Sequence, residues 1–127
     1  MKSPAGKRAI LLISHGSRLP ETKKEIICLR NVLKKVFPAA IFVYAFLEIE
    51  KPSIPEGILR CIKRGAGKII ILLNFLNSGR HVDHDIPRIV GEYKKKYPDI
   101  KFRISKPLGL HRRIPELFID LIRAADA

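Results

Sequence analysis

Four histidines stand in the chain, at positions 15, 81, 84 and 111. Imidazole is the side chain that both ligates transition metals and accepts a proton near neutrality. Three of the four sit in two polar, glycine-bearing segments that directly follow apolar runs. These are Ser14-His15-Gly16-Ser17 and Asn77-Ser78-Gly79-Arg80-His81-Val82-Asp83-His84-Asp85. Such ligands suit Co, Ni, Fe or Zn, whereas Mg and Ca prefer oxygen. His15 and His81 are therefore the candidate metal ligands and catalytic bases. The plainer alternatives are a turn histidine paired with a carbonyl and a surface residue capping a helix. His84, in the first turn of a helix, reads more readily as solvent-facing. His111, in Leu108-Gly109-Leu110-His111, could line the rim of the same site or belong to a solvated loop. Glu48 follows another apolar run, where a carboxylate could attract a cation or relay protons, or simply face water.

The neighbours of the two histidines suit anions. Ser17 and Ser78, with nearby amides, fall at helix starts, where negative charge is stabilised. Arg18, Arg80 and Arg88 could hold carboxylates in bidentate fashion. Gly16 and Gly79 would let the backbone approach a bulky ligand or adopt positive φ. The Lys34-Lys35 pair and the Lys94-Lys95-Lys96 run read as solvated helix surface. Lys and Arg total 25 against 12 Asp and Glu, a net charge of +13. That balance favours an anionic partner through long-range steering, without choosing among nucleic acid, a membrane surface and a polycarboxylate molecule.

The elements that must position these residues follow from periodicity. Ala9-Ile10-Leu11-Leu12-Ile13 reads as a first strand ending at His15, and 41–46 as a second ending near Glu48. The apolar run 68–75 suits a central parallel strand buried on both faces. Ile100, Phe102 and Ile104 alternate with polar residues, as an edge strand does. Between them, Ile26, Leu29, Leu33 and Val36 form one helical stripe, started by Pro20 or by a Thr22–Glu25 capping box. Ser53-Ile54-Pro55-Glu56 opens a second helix with Ile54, Ile58, Leu59 and Ile62 inward, closed by Gly65. Ile86, Ile89, Val90, Tyr93 and Tyr97 mark a third, beginning near 83–87. Ile114, Leu117, Phe118, Leu121 and Ile122 mark a fourth. The order βαβαβαβα predicts one α/β domain over 1–127, a doubly wound four-stranded parallel sheet of order 2-1-3-4 with helices on both faces. Strands one and three are then neighbours with helices on opposite faces. The crevice beyond their carboxyl ends is the switch point where such folds bind ligands.

Composition narrows the rest. The chain has 127 residues, 46% of them hydrophobic, enough for one core. No apolar run approaches the roughly 18 residues of a membrane span, and 1–7 lacks the apolar centre of a signal peptide, so a cytoplasmic location is expected. Cys28 and Cys61 form no Cys-x-x-Cys pair and read as core or half-buried thiols. No glycine-rich nucleotide fingerprint occurs. Basic residues are scattered and aromatics total 7%, which speaks against a nucleic-acid-binding domain. Phosphatase chemistry with His15 as nucleophile would expect arginine just before it, where Ser14 stands.

Ser14-His15-Gly16-Ser17-Arg18 resembles the opening motif of the class II tetrapyrrole chelatases. Phe75-Leu76-Asn77-Ser78-Gly79-Arg80-His81-Val82-Asp83-His84-Asp85-Ile86-Pro87 resembles their second motif more closely still. Phe46-Leu47-Glu48, Pro52-Ser53-Ile54 and Pro107-Leu108-Gly109 with His111 also look like family segments, so the likeness spans nearly the whole chain. It is greatest to the small-form sirohydrochlorin cobaltochelatases. Two positions depart from the family pattern: Ser14 where Gly is frequent, and Asn74 where Pro is frequent. The resemblance implies a divalent metal as substrate, Co2+ first and Fe2+ or Ni2+ as alternatives, held by His15 and His81. It implies a sirohydrochlorin-type tetrapyrrole with eight carboxylates, contacted by Ser17, Arg18, Ser78, Gly79 and Arg80. It further implies a homodimer, with neither organic cofactor, nucleic acid nor membrane involved. Glu48 would assist one histidine in accepting pyrrole protons. A metal or tetrapyrrole carrier without turnover is the non-enzymatic alternative.

Overall fold

A computed structural model describes residues 6–127, with His81 described by its backbone alone. The elements run β1 (Lys7–Ser14), α1 (Pro20–Val36), β2 (Ile41–Phe46), α2 (Ile54–Lys63) and β3 (Ala66–Leu73). A π-helical turn (His81–Asp85), α3 (Ile86–Lys96), β4 (Lys101–Ile104), a 3-10 turn (Leu108–Leu110) and α4 (Ile114–Ala125) follow. The four strands are parallel in the order β2-β1-β3-β4, as the periodicity predicts. Each α-helix carries proline in its first turn (Pro20, Pro55, Pro87 and Pro115), where the missing N–H removes no helical bond.

The two faces of the sheet are covered unequally. Right-handed crossovers put α2 and α3 on one side and α1 alone on the other. Beneath α2 and α3 lies a continuous core containing Leu11, Ile13, Val43, Ile58, Ile69, Ile71, Ile86 and Val90. Each such side chain contributes about 1.5–3 kcal/mol on burial. Gly57 permits the α2 contact, because a Cβ there would lie 2.8 Å from the Leu11 side chain and 2.9 Å from Ala45. The α1 side holds only two small clusters, around Ile10, Ala40 and Phe42 and around Leu12, Ile26 and Phe46.

Local signals hold where one helix turn decides the outcome. Ser53 and Glu56 form the expected capping box: Ser53 Oγ accepts from the Glu56 amide at 3.2 Å, and Glu56 Oε1 from the Ser53 amide at 2.8 Å. These bonds hold the Glu56 carboxyl below its ordinary pKa. Gly65 takes φ +97° after α2. Four expectations are corrected. α1 starts at Pro20 without the Thr22–Glu25 box, since its N-cap Leu19 makes no side-chain cap. In its stripe only Ile26 is buried, while Leu29 and Val36 are exposed, because among the described residues no second helix lies beside α1. Leu59 is likewise exposed; Cys61 takes the inward position on α2. Cys28 is exposed rather than half-buried, whereas burial pushes the Cys61 thiol up to about 12.

Candidate functional site

The site lies at the carboxyl edge of the sheet, where β1 is flanked by β2 and β3. Parallel register puts Ser14 opposite Phe46, and Ile13 opposite Leu73. The chain beyond each strand therefore emerges at one level. His15 leaves β1 beside the loop after β2, and the ladder continues past the strands: the Leu47 amide donates to the Ser14 carbonyl (2.9 Å) and the Glu48 amide to the His15 carbonyl (3.1 Å). Gly16, at φ +106°, passes so close to this loop that a Cβ would meet the Glu48 carbonyl oxygen at 1.9 Å. Glycine is thus required here on both conformational and steric grounds.

This lacing brings His15 Nε2 to 3.1 Å from Glu48 Oε1, with both side chains about half exposed (52% and 49%). The other ring nitrogen, Nδ1, lies 3.4 Å from the Gly16 carbonyl oxygen. The pair can act in two ways. A carboxylate on one ring nitrogen orients the imidazole and raises its basicity for a metal on the other. Alternatively, imidazole and carboxylate can share one ion, since adjacent ligands with bonds near 2.1 Å stand roughly 3.0–3.4 Å apart. Glu50, two residues on, accepts from the Ser17 amide at 2.9 Å. Between the two glutamates, Ile49 adopts φ 73° and the Glu50 amide donates to the Glu48 carbonyl at 2.8 Å, a γ-turn. A β-branched residue with positive φ is strained, by about 1–3 kcal/mol. That strain lets the glutamates on either side of Ile49 reach two different points of the β1 loop.

On the other side, Asn74 continues β3 by donating its amide to the Ile13 carbonyl (2.9 Å), and its Nδ2 donates to Ser14 Oγ (3.1 Å). Ser14 is the buried polar residue at the end of β1. The two departures from the family pattern are therefore partners. Neither the Glu50 contact nor the bonding of Ser14 to Asn74 is legible in the sequence, because the bonds join residues 33 and 60 positions apart. After Asn74 the chain carries Ser78, Gly79 and Arg80, all exposed, into the π-helical turn that begins at His81. This backbone stands over the strand adjacent to that of His15; the His81 side chain lies outside the described residues. Gly79 differs from its expected counterpart Gly16: its φ is ordinary and open space surrounds it. The loop is braced lower down at Gly109, where a Cβ would lie 1.6 Å from the Leu76 carbonyl oxygen and whose amide donates to the Phe75 carbonyl at 3.0 Å.

The remaining candidates disperse. Ser17 and Arg18 face the β1–α1 corner, Arg18 exposed. Arg88 pairs along α3 with Glu92 at 3.7 Å. His84 is exposed on the π-helical turn. His111 Nδ1 accepts from the Arg113 amide at 3.0 Å, beside a groove on the α1 face of the sheet. Among the described residues no group of three or more His, Cys, Asp or Glu side chains stands close enough to hold a metal unaided.

Comparison with known proteins gives these observations a context. A family model described as CbiX matches residues 9–125. A sirohydrochlorin cobaltochelatase of Saccharolobus solfataricus is 34% identical over 119 residues, covering 89% of this chain and 91% of the relative. A sirohydrochlorin ferrochelatase of Priestia megaterium is 31% identical over 114 residues, covering 90% of this chain but 43% of the relative. Thus the chain spans under half the length of some curated relatives and nearly the full length of others. Among solved structures, the sirohydrochlorin chelatase SirB from Bacillus subtilis subspecies spizizenii, in complex with cobalt, superposes with TM-score 0.83 at 29% identity, over 93% of this chain and 50% of that one. With a four-stranded 2-1-3-4 sheet, two histidine-bearing loops over its central strands and a family match across nearly its whole length, the chain belongs to the CbiX family.

Proposed function

We propose that this chain inserts a divalent cation into a sirohydrochlorin-type tetrapyrrole, as its relatives' names describe for them. Co2+ is the first choice, because the relatives of matching length are named cobaltochelatases. The observation that carries the reading is the His15–Glu48 pair, held at 3.1 Å over the end of β1 beside the loop that leads to His81. His15 and His81 take the incoming cation. The exposed Arg18 and Arg80, with Ser17, Ser78 and Gly79, receive the carboxylates of the macrocycle, for which the +13 net charge steers. Insertion releases two pyrrole protons per metal ion. His15, backed by Glu48, accepts them one after the other and passes each to solvent, which both half-exposed side chains reach. General-base action of this kind is worth about 10²–10⁴-fold. The reading also takes 1–127 as one domain, acting in the cytoplasm as a homodimer, without organic cofactor, nucleic acid or membrane. Among the described residues no helix is long and apolar enough to cross a membrane.

The test is absorbance-monitored insertion of Co2+, Fe2+ and Ni2+ into sirohydrochlorin by purified protein. Multiple turnovers with Co2+ fastest are expected. Iron fastest would make it the ferrochelatase that the Priestia relative is named for. A single stoichiometric uptake without turnover would make it a carrier.

A further inference from the structure

A side-chain bond joins the roots of the two histidine loops. On the α1 face of the sheet, parallel register sets Ile10 against Ile70 and Leu12 against Leu72. These rows belong to the two small apolar clusters on that side. Side chains alternate between faces, so the next row on this side is Ser14 and Asn74. A third apolar pair would pack there as readily. The chain instead places a hydroxyl and a carboxamide, bonded at 3.1 Å. Ser14 is 5% exposed and is the one buried polar side chain among the described residues. Burying a hydroxyl costs free energy that its hydrogen bond offsets, whereas an apolar pair would add to the core. What the polar pair provides, and apolar contact lacks, is direction.

Direction matters at this point of the fold. Ser14 immediately precedes His15, and Asn74 opens the segment that leads through Ser78, Gly79 and Arg80 to His81. Ser14 also meets the third strand end, because its carbonyl accepts from the amide of Leu47, the residue before Glu48, at 2.9 Å. The Asn74 amide donates to the Ile13 carbonyl, also at 2.9 Å. Backbone bonds thus hold the strand ends level, and the side-chain bond ties the two loops to each other. We propose that Ser14 and Asn74 are a positioning pair: their bond sets the approach of the His15 loop to the loop leading to His81, and so the grip of the crevice on a divalent cation. The inference rests on the metal-handling reading above and adds two residues that act through the loops rather than on the ion.

The experiment is calorimetric titration of the full chain with Co2+ alone, beside urea denaturation of the same variants. Ser14→Ala/Asn74→Leu continues the apolar rows, and exchanging both partners of a bond for apolar groups of similar shape is nearly neutral or stabilising. Its urea midpoint is expected at or above that of the parent, while its Co2+ affinity falls about tenfold, as for partners that orient a ligand from behind. Ser14→Ala and Asn74→Leu alone should each lose about as much affinity as the double variant, because a single bond is lost in all three. Parent-like affinity in the double variant overturns the inference. So do single losses that add, and so does a midpoint that falls together with the affinity, which would make the pair a matter of folding alone. Each of these outcomes leaves the metal-handling reading standing. A parent chain that takes up no Co2+ overturns that reading and the inference with it.

Discussion

The two loops that flank the crevice are held very differently. The lip over β1 and β2 is laced by two backbone bonds, the Ser17–Glu50 bond, the His15–Glu48 contact and the obligatory Gly16. The lip over β3 is tied at its root by Asn74 and Gly109, then runs through exposed Ser78, Gly79 and Arg80 into a π-helical turn. His15 thus stands on a tightly braced loop, whereas the backbone leading to His81 is exposed. The lesson is that one crevice can combine a lip fixed by its neighbours with a lip left largely free, which on the proposed function would separate holding the cation from admitting the macrocycle. π-helical turns recur at functional sites.

The sharpest way to break the comparison is to remove each histidine. His15→Ala and His81→Ala should each reduce metal insertion by at least about 100-fold, as expected of direct ligands and bases. Insertion by both variants at the parent rate, read by absorbance, would end the metal-handling role of the crevice. The next largest effect contrasts the glycines. Gly16→Ala should cost about 2 kcal/mol or more, from positive φ and the clash with the Glu48 carbonyl, while Gly79→Ala should stay within about 0.5 kcal/mol. Urea denaturation of the two variants decides it, and equal midpoints would mean that the lips are equally constrained.

Glu48→Gln should come next, lowering metal affinity by about tenfold because the imidazole loses the charged partner that orients it. Calorimetric titration with Co2+ reads this directly; unchanged affinity would reduce Glu48 to a surface residue. The smallest effect concerns the support of the laced lip. Ser53→Ala should cost about 1 kcal/mol in urea denaturation through loss of the α2 cap. The Glu56 carboxyl is held below its usual 4.5, so it binds fewer protons folded than unfolded. Its stabilisation is therefore present at neutral pH and lost as pH falls through the lowered value. The denaturation gap between the parent and Glu56→Gln should close in acid, and a gap that persists there would show that charge plays no part in this cap.

Much of this arrangement is legible in the sequence. Apolar strings and 3.6-residue stripes give the strands, helices and sheet order, and Ser53–Glu56 gives a helix start, because each depends on contacts within a turn or two. The sheet order adds the crevice beyond β1 and β3, and the likeness of the histidine motifs to the chelatases implies its ligands. Elsewhere the same signals mislead. Leu29, Val36 and the α4 residues carry core-like spacing yet lie exposed, since amphipathicity gives a helix an apolar face and does not say what covers it. Gly16 and Gly79 look alike in the chain, and only the passage of the Glu48 carbonyl beside one of them sets them apart.

The residues alone determined a βαβαβαβα fold, a strongly basic surface and two histidine loops at the ends of neighbouring strands. The tertiary structure decided that Glu48 meets His15, that Glu50 takes the Ser17 amide, that Ser14 and Asn74 bond to each other, and that no residue of α4 is buried. The physical reason is range. Helix and strand preferences are set by neighbours a few positions away, whereas these contacts join segments tens of residues apart and exist only once parallel register has aligned the strand ends.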